Sequence, residues 1–87
     1  MQSRPYEVEL SASARRDLHR LPRTVQDRVL RQLRSLAGNP RPTGVRKLTD
    51  SDNVYRVRVG DYRVVFTVDD SIRNVSVLRI GHRSDVY

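Results

Sequence analysis

Cysteine and tryptophan are absent from these 87 residues, lysine occurs once and histidine twice. Without cysteine there is no disulfide framework and no thiolate metal site. His19 and His82 stand far apart in the sequence, with no ligand spacing around them to suggest a site built on imidazole. Metal and redox chemistry are not expected, and no cofactor is implied. No apolar run approaches the ~20 residues of a membrane helix, and the polar, alternating first ten residues do not resemble a signal peptide. No membrane contact and a cytoplasmic location are expected. Aromatic residues are also scarce. Tyr6, Tyr55, Tyr62, Phe66 and Tyr87 are the whole supply, and most are needed for a core, which leaves few for stacking on bases.

What the chain has in excess is positive charge. Sixteen arginines and one lysine face ten acidic residues, a net charge of +7 that favours nucleic acid, a ribosomal surface or an acidic protein as partner. The preference for arginine over lysine could come from a GC-rich genome, so the positions of the arginines carry more information than their number. The length suits one domain, 1–87, which buries only about 60 to 65% of its unfolded surface.

Tyr6, Val8 and Leu10 alternate with Glu7 and Glu9, the period of a half-buried strand. Ser11 or Ser13 offers a helix N-cap, followed at helical spacing by Ala14, Leu18 and Leu21, with Arg15, Arg16, Asp17 and Arg20 outside. Pro22 suits the first turn of a second helix, whose apolar stripe is Val25, Val29, Leu33 and Leu36 and whose stop is Gly38. Residues 39–44, with Pro40 and Pro42, read as a loop. Then come an extended segment at 45–48, a turn at 49–53, strands at 54–59 and 62–68 joined by Gly60-Asp61, another turn, and a last strand at 75–80 ending at Gly81. These elements predict an α+β fold of order βααβββ, a helical hairpin packed on a small, mainly antiparallel sheet.

The last third carries the chemistry. In Tyr55-Arg56-Val57-Arg58-Val59-Gly60-Asp61-Tyr62-Arg63-Val64-Val65-Phe66, strand alternation places Arg56 and Arg58 on one face and Tyr55, Val57 and Val59 on the other, with Arg63 opposed in the same way by its neighbours. Pairing the two strands would bring three guanidinium groups within reach of one substrate. Like charges cost stability unless an anion neutralises them, so the set points to phosphate. Arg79 on the last strand joins Arg56, Arg58 and Arg63 as a substrate-binding candidate. His82, Arg83 and Tyr87 follow in the tail. RNA cleavage needs a proton acceptor, cations to stabilise the phosphorane, and an acid for the leaving 5′-oxygen. Arginine, with a pKa of about 12.5 to 13.8, cannot be the base, which leaves His82 or Tyr87.

Together with the closing Gly81-His82-Arg83-Ser84-Asp85-Val86-Tyr87, this passage and the element order resemble the RelE branch of the RelE/ParE toxin superfamily. The resemblance covers nearly the whole chain and is most specific over its last 33 residues. It implies the RelE-like microbial ribonuclease fold and the toxin half of a bacterial type II toxin–antitoxin pair. The implied activity is a ribosome-dependent endonuclease cutting mRNA in the ribosomal A site, and the implied partner a cognate antitoxin. By resemblance, the family's basic pair on the second strand falls on Arg56 and Arg58, its next arginine on Arg63, its strand-closing arginine on Arg83 and its C-terminal tyrosine on Tyr87. Fewer residues separate Arg83 from Tyr87 than in the best-known member. Lysine is common elsewhere in the family at position 56, where arginine holds charge but cannot take a proton. The expected mechanism is in-line attack by the 2′-hydroxyl without a metal, with Arg58 and Arg63 on the phosphorane, Arg83 on the leaving group, and Tyr87 or His82 exchanging protons. A ParE-like DNA gyrase inhibitor and a plain RNA-binding module are the alternatives, the first of the same fold.

Overall fold

In the computed structural model, which describes residues 4–48 and 53–83, the first alternating segment forms β1 (Glu7–Leu10). Ser11 ends it and caps α1 (Ala12–Arg20). Its Oγ accepts from the Ala14 N–H at 3.0 Å, a bond of the kind that stabilises a helix by about 1 kcal/mol. The same hydroxyl donates to the Leu78 carbonyl and the Ser11 N–H to that of Val77, each at 2.9 Å, so the cap also anchors α1 to the last strand. Pro22, whose missing N–H costs nothing at a helix start, opens α2 (Arg23–Gly38). The Gln26 amide fastens the bend between the helices by donating to the Leu21 carbonyl at 2.9 Å.

The remaining elements are β2 (Arg46–Lys47), β3 (Val54–Val59), β4 (Tyr62–Asp69) and β5 (Asn74–His82). They make one five-stranded sheet of order β1-β5-β4-β3-β2, in which only the β1–β5 pair is parallel. The architecture is the expected α+β hairpin-on-sheet with one more strand. Segment 45–48 contributes a two-residue ladder, Arg46 opposite Arg56 and Lys47 opposite Tyr55, too short for alternation to announce it.

Both helices cover one face of the sheet. Ala14, Val29, Leu33 and Leu36 meet Tyr55, Val57, Val59, Val64, Phe66, Val68, Val75, Val77 and Ile80 in one cluster. Phe66 and Leu36 are fully buried, each stabilising the fold by about 1.5–3 kcal/mol relative to exposure.

One irregularity sets the geometry of everything after it. Phe66 pairs with Val77 but Val65 with Arg79, so Leu78 is an extra residue on β5, a bulge left 37% exposed. Strict alternation from Val75 and Val77 would send Arg79 and Arg83 inward and Ile80 and His82 outward. The inserted residue reverses that phase: Ile80 is 2% exposed and packs in the core.

Asp17 departs from its expected position outside α1 and is 9% exposed. Past the end of β1 the edge of β5 would be bare; there Asp17 Oδ2 accepts from the Ile80 N–H at 2.9 Å and from Arg79 Nε at 2.8 Å. Burial pushes this carboxyl up, but the bonds from Arg79 and Ile80 and the charges of Arg79 and Arg20 outweigh it, and the net value lies below the ordinary one. At the opposite end of the sheet, Asp70 accepts both guanidinium arms of Arg41, at 3.2 and 3.0 Å, and the Tyr6 hydroxyl. Arg41 Nε also donates to the Tyr55 hydroxyl at 3.0 Å, and Arg73 lies 4.5 Å from the Tyr6 ring centre.

Candidate functional site

The β3–β4 turn needs a residue that tolerates the left-handed region, and Gly60 takes it with φ 63°. The tight turn fixes the register: Arg58 stands opposite Arg63, Val57 opposite Val64 and Arg56 opposite Val65. With Val57 and Val64 in the core, Arg56, Arg58 and Arg63 share the face turned away from the helices. On the other side of β4, Gly81 stands opposite Arg63 and contributes no side chain, so it leaves the neighbouring space open. The chain continues to Arg83, whose N–H donates to the Asp61 carbonyl at 2.9 Å. The Arg63 guanidinium is held below its ordinary value, first by desolvation, its Nε being buried, and then by the charges of Arg56, Arg58 and Arg83. Four of the sequence-derived candidates therefore converge on one surface. Val65, 1% exposed yet outside the main core cluster, lies within that face, in register between Arg56 and Arg79.

Two candidates stand elsewhere. His82 pairs in register with Tyr62, whose other neighbour is the buried Val59, and its ring meets the Tyr62 ring edge-on at 5.5 Å. It lines a helix-side cavity of about 330 Å³ with Asp17, Arg20, Leu21 and Pro22, across the sheet from Arg58 and Arg63. The bulge at Leu78 is the cause, since regular alternation over the five residues from Val77 would have put His82 on the arginine face. Arg79, expected to bind substrate, has its guanidinium on Asp17, with half of the side chain exposed. Tyr87 lies outside the described residues. His19 is exposed on α1.

The guanidinium set can grip a phosphodiester and stabilise a doubly charged phosphorane, since each group offers planar, forked donors and keeps its charge at any physiological pH. Arginine cannot act as base, so a proton acceptor must come from elsewhere. Among the described residues no group of three His, Asp or Glu side chains could hold a metal, and no helix is long and apolar enough to cross a membrane.

Sequence reasoning missed two groups here. Asp17 was hidden because its burial is on β5 rather than within its own helix. Arg28 and Arg31 of α2 line a groove of about 310 Å³ together with Arg58 and Gly60. Their spacing, with Gln32 and Ser35, is one helical stripe beside the core stripe, and that signal was present in the sequence.

Residues 8–87 match the family model described as ParE toxin of type II toxin–antitoxin system, parDE. Toxin RelE of Mycobacterium tuberculosis is 36% identical over 84 residues, covering 95% of this chain and 87% of that protein. Toxin RelG of the same organism is 33% identical over 84 residues, covering 95% and 97%. Among solved structures, the archaeal RelE–RelB complex from Pyrococcus horikoshii OT3 contains a chain that superposes with a TM-score of 0.83 at 29% identity, covering 94% of this chain and 99% of that one. The toxin–antitoxin complex RelBE2 of Mycobacterium tuberculosis gives 0.80 at 32% identity, covering 91% and 99%.

Proposed function

Because the chain belongs to the ParE toxin family and is a RelE-like toxin of a type II toxin–antitoxin system, we propose that it is a metal-independent endoribonuclease acting on mRNA in the ribosomal A site. The observation that carries this reading is the convergence of Arg56, Arg58, Arg63 and Arg83 on one open sheet face, close enough that their charges bear on Arg63. Such a cluster opposes folding and is relieved by a bound phosphate.

The 2′-hydroxyl attacks the adjacent phosphorus, the bond to the 5′-oxygen breaks, and a 2′,3′-cyclic phosphate and a 5′-hydroxyl result. Arg58 and Arg63 stabilise the phosphorane, Arg83 the leaving oxygen, and Arg56 holds the substrate as a fixed charge. With His82 turned to the helices, Tyr87 is the remaining candidate to exchange protons. Positive charge around a phenol lowers its pKa from about 10 and makes it a better base. The ribosome's part is to align the 2′-hydroxyl for in-line attack, which a set of charges alone does not do.

The test is cleavage of mRNA on programmed ribosomes by purified wild type and Arg83→Ala. Intact mRNA with wild type would sink the nuclease reading. A second reading, a gyrase inhibitor that cleaves nothing, is favoured by the ParE description of the matching family model. Toxicity that survives double substitution of Arg83 and Tyr87, with inhibited DNA supercoiling, would select it.

A cognate antitoxin is part of the same proposal. The structural neighbours are toxin–antitoxin complexes, and a cell making this chain in the cytoplasm must neutralise it. An acidic or amphipathic segment laid over the helices, the sheet edge or the arginine face would do so. High-yield expression of the wild-type chain alone without growth arrest would count against it.

A further inference from the structure

A second basic feature lies around the corner from the arginine face. Strand β2 pairs only with Tyr55 and Arg56, so the edge of β3 is open from Val57 onward. Along that opening runs a groove of about 310 Å³ whose walls are Arg28, Arg31, Gln32 and Ser35 of α2 and Arg58, Val59 and Gly60 of the hairpin. The helix residues fall at i, i+3, i+4 and i+7, which puts all four on one side of α2. The stripe is adjacent to Val29, Leu33 and Leu36, so the packing of the core aims it at the hairpin end.

Gly60 is part of the construction. A side-chain carbon there would lie 3.2 Å from both terminal nitrogens of Arg28, so the missing side chain lets the guanidinium settle against the turn. Among the described residues no carboxylate forms an ion pair with Arg28, Arg31 or Arg58. The three helix and strand residues thus bring like charge to one narrow opening lined by an amide and a hydroxyl. An ordinary solvated helix face would place each arginine toward open water and spread the charge.

We propose that Arg28 and Arg31, with Arg58, form a second phosphodiester subsite that holds the RNA backbone away from the scissile phosphate. It rests on the nuclease reading only in naming RNA as the polymer. Arg58 is common to both surfaces: it stands opposite Arg63 on the arginine face and also walls the groove. A strand leaving the scissile position has a continuous basic path around the end of the hairpin onto α2. Recognition is of backbone phosphate and therefore carries no base preference. The groove has room for a phosphate and its sugar, and no aromatic ring lines it to stack a base.

The test uses a labelled single-stranded RNA with 2′-O-methyl groups, which cannot be cleaved, so that binding is read whether or not the chain is a nuclease. Each phosphate neutralised adds about 0.7 to the slope of log K against log salt for a single strand. Arg28→Gln/Arg31→Gln should lower that slope by about 0.7 to 1.4 and weaken binding about tenfold at moderate salt. Arg28→Lys/Arg31→Lys should keep the wild-type slope. Glutamine is nearly as good a helix former as arginine, and unchanged helical circular dichroism would verify folding. Wild-type slope and affinity in the glutamine variant would overturn the subsite. So would a variant that binds RNA normally but loses binding of a poly-glutamate peptide, which would assign the groove to an acidic protein segment. Ribosomal cleavage measured in parallel separates the two ideas. RNA binding lost in the variant while wild type fails to cleave supports the subsite and rejects the nuclease, and cleavage with an unaltered slope does the reverse.

Discussion

The two ends of the sheet handle arginine in opposite ways. At the Asp70 end, Arg41 is held by a carboxylate on both arms and by a phenol, and Arg73 rests on an aromatic ring. At the hairpin end, arginines from β3, β4 and the residue just past β5 are brought together and their charges bear on one another. The same residue type serves as a fastener in one place and as a member of a like-charged cluster in the other. The asymmetry teaches that the fold locks arginine down at one end and concentrates positive charge at the other, where an anion is favoured.

The largest effect that would break this comparison is on turnover. Arg63→Ala should lower mRNA cleavage on programmed ribosomes by about 10²- to 10³-fold, the usual loss when one charge-stabilising group is removed. Its melting temperature should stay level or rise, because a repelling charge is gone. A drop in both activity and melting temperature would make Arg63 a structural residue. Arg41→Ala should do the opposite, costing about 1 kcal/mol of stability after allowance for its partial exposure, with cleavage retained.

Acid should act on the carboxylate-bound arginines first. Hydrogen bonds from Arg41 and Tyr6 hold the Asp70 carboxyl below its ordinary value, and Asp17 is also depressed. A group with a depressed folded pKa stabilises fully above its unfolded pKa, about 3.9, and loses that contribution as pH falls through the folded value. Thermal stability should therefore decline below about pH 4, and Asp70→Asn should flatten the decline. A melting temperature independent of pH between about 5 and 2 would contradict both assignments. The smallest effect is that of salt. At about 0.1 M the screening length is near 10 Å, enough to damp repulsion at the hairpin end, so added salt should raise the wild-type melting temperature slightly and that of Arg63→Ala less.

Much of this was legible in the residues. Alternation in β1, β3 and β4, the serine cap of α1 and the apolar stripe of α2 are local signals, and each element formed where its pattern stands. The arginine face followed because a two-residue turn leaves little freedom of register. Features that depend on contacts between distant segments could not be read. Asp17 was assigned to solvent because helical spacing says nothing of a bare strand edge 63 residues away. His82 was read as a tail residue beyond a strand ending at Ile80, whereas β5 runs on through it and the bulge at Leu78 turns it to the helix side. No turn residue marks the bulge at Leu78.

That bulge bears on how relatives are to be compared. Between Val77 and Ile80 a gap of one residue is not neutral in a sequence alignment, since it exchanges inside for outside at every later position. A relative lacking the extra residue could present a histidine at the position of His82 to its substrate and bury the following arginine. Conserved spelling at the C-terminal end of the strand therefore does not guarantee a conserved site, and the distance in residues from the last core valine is the more reliable guide to which tail side chains meet the substrate.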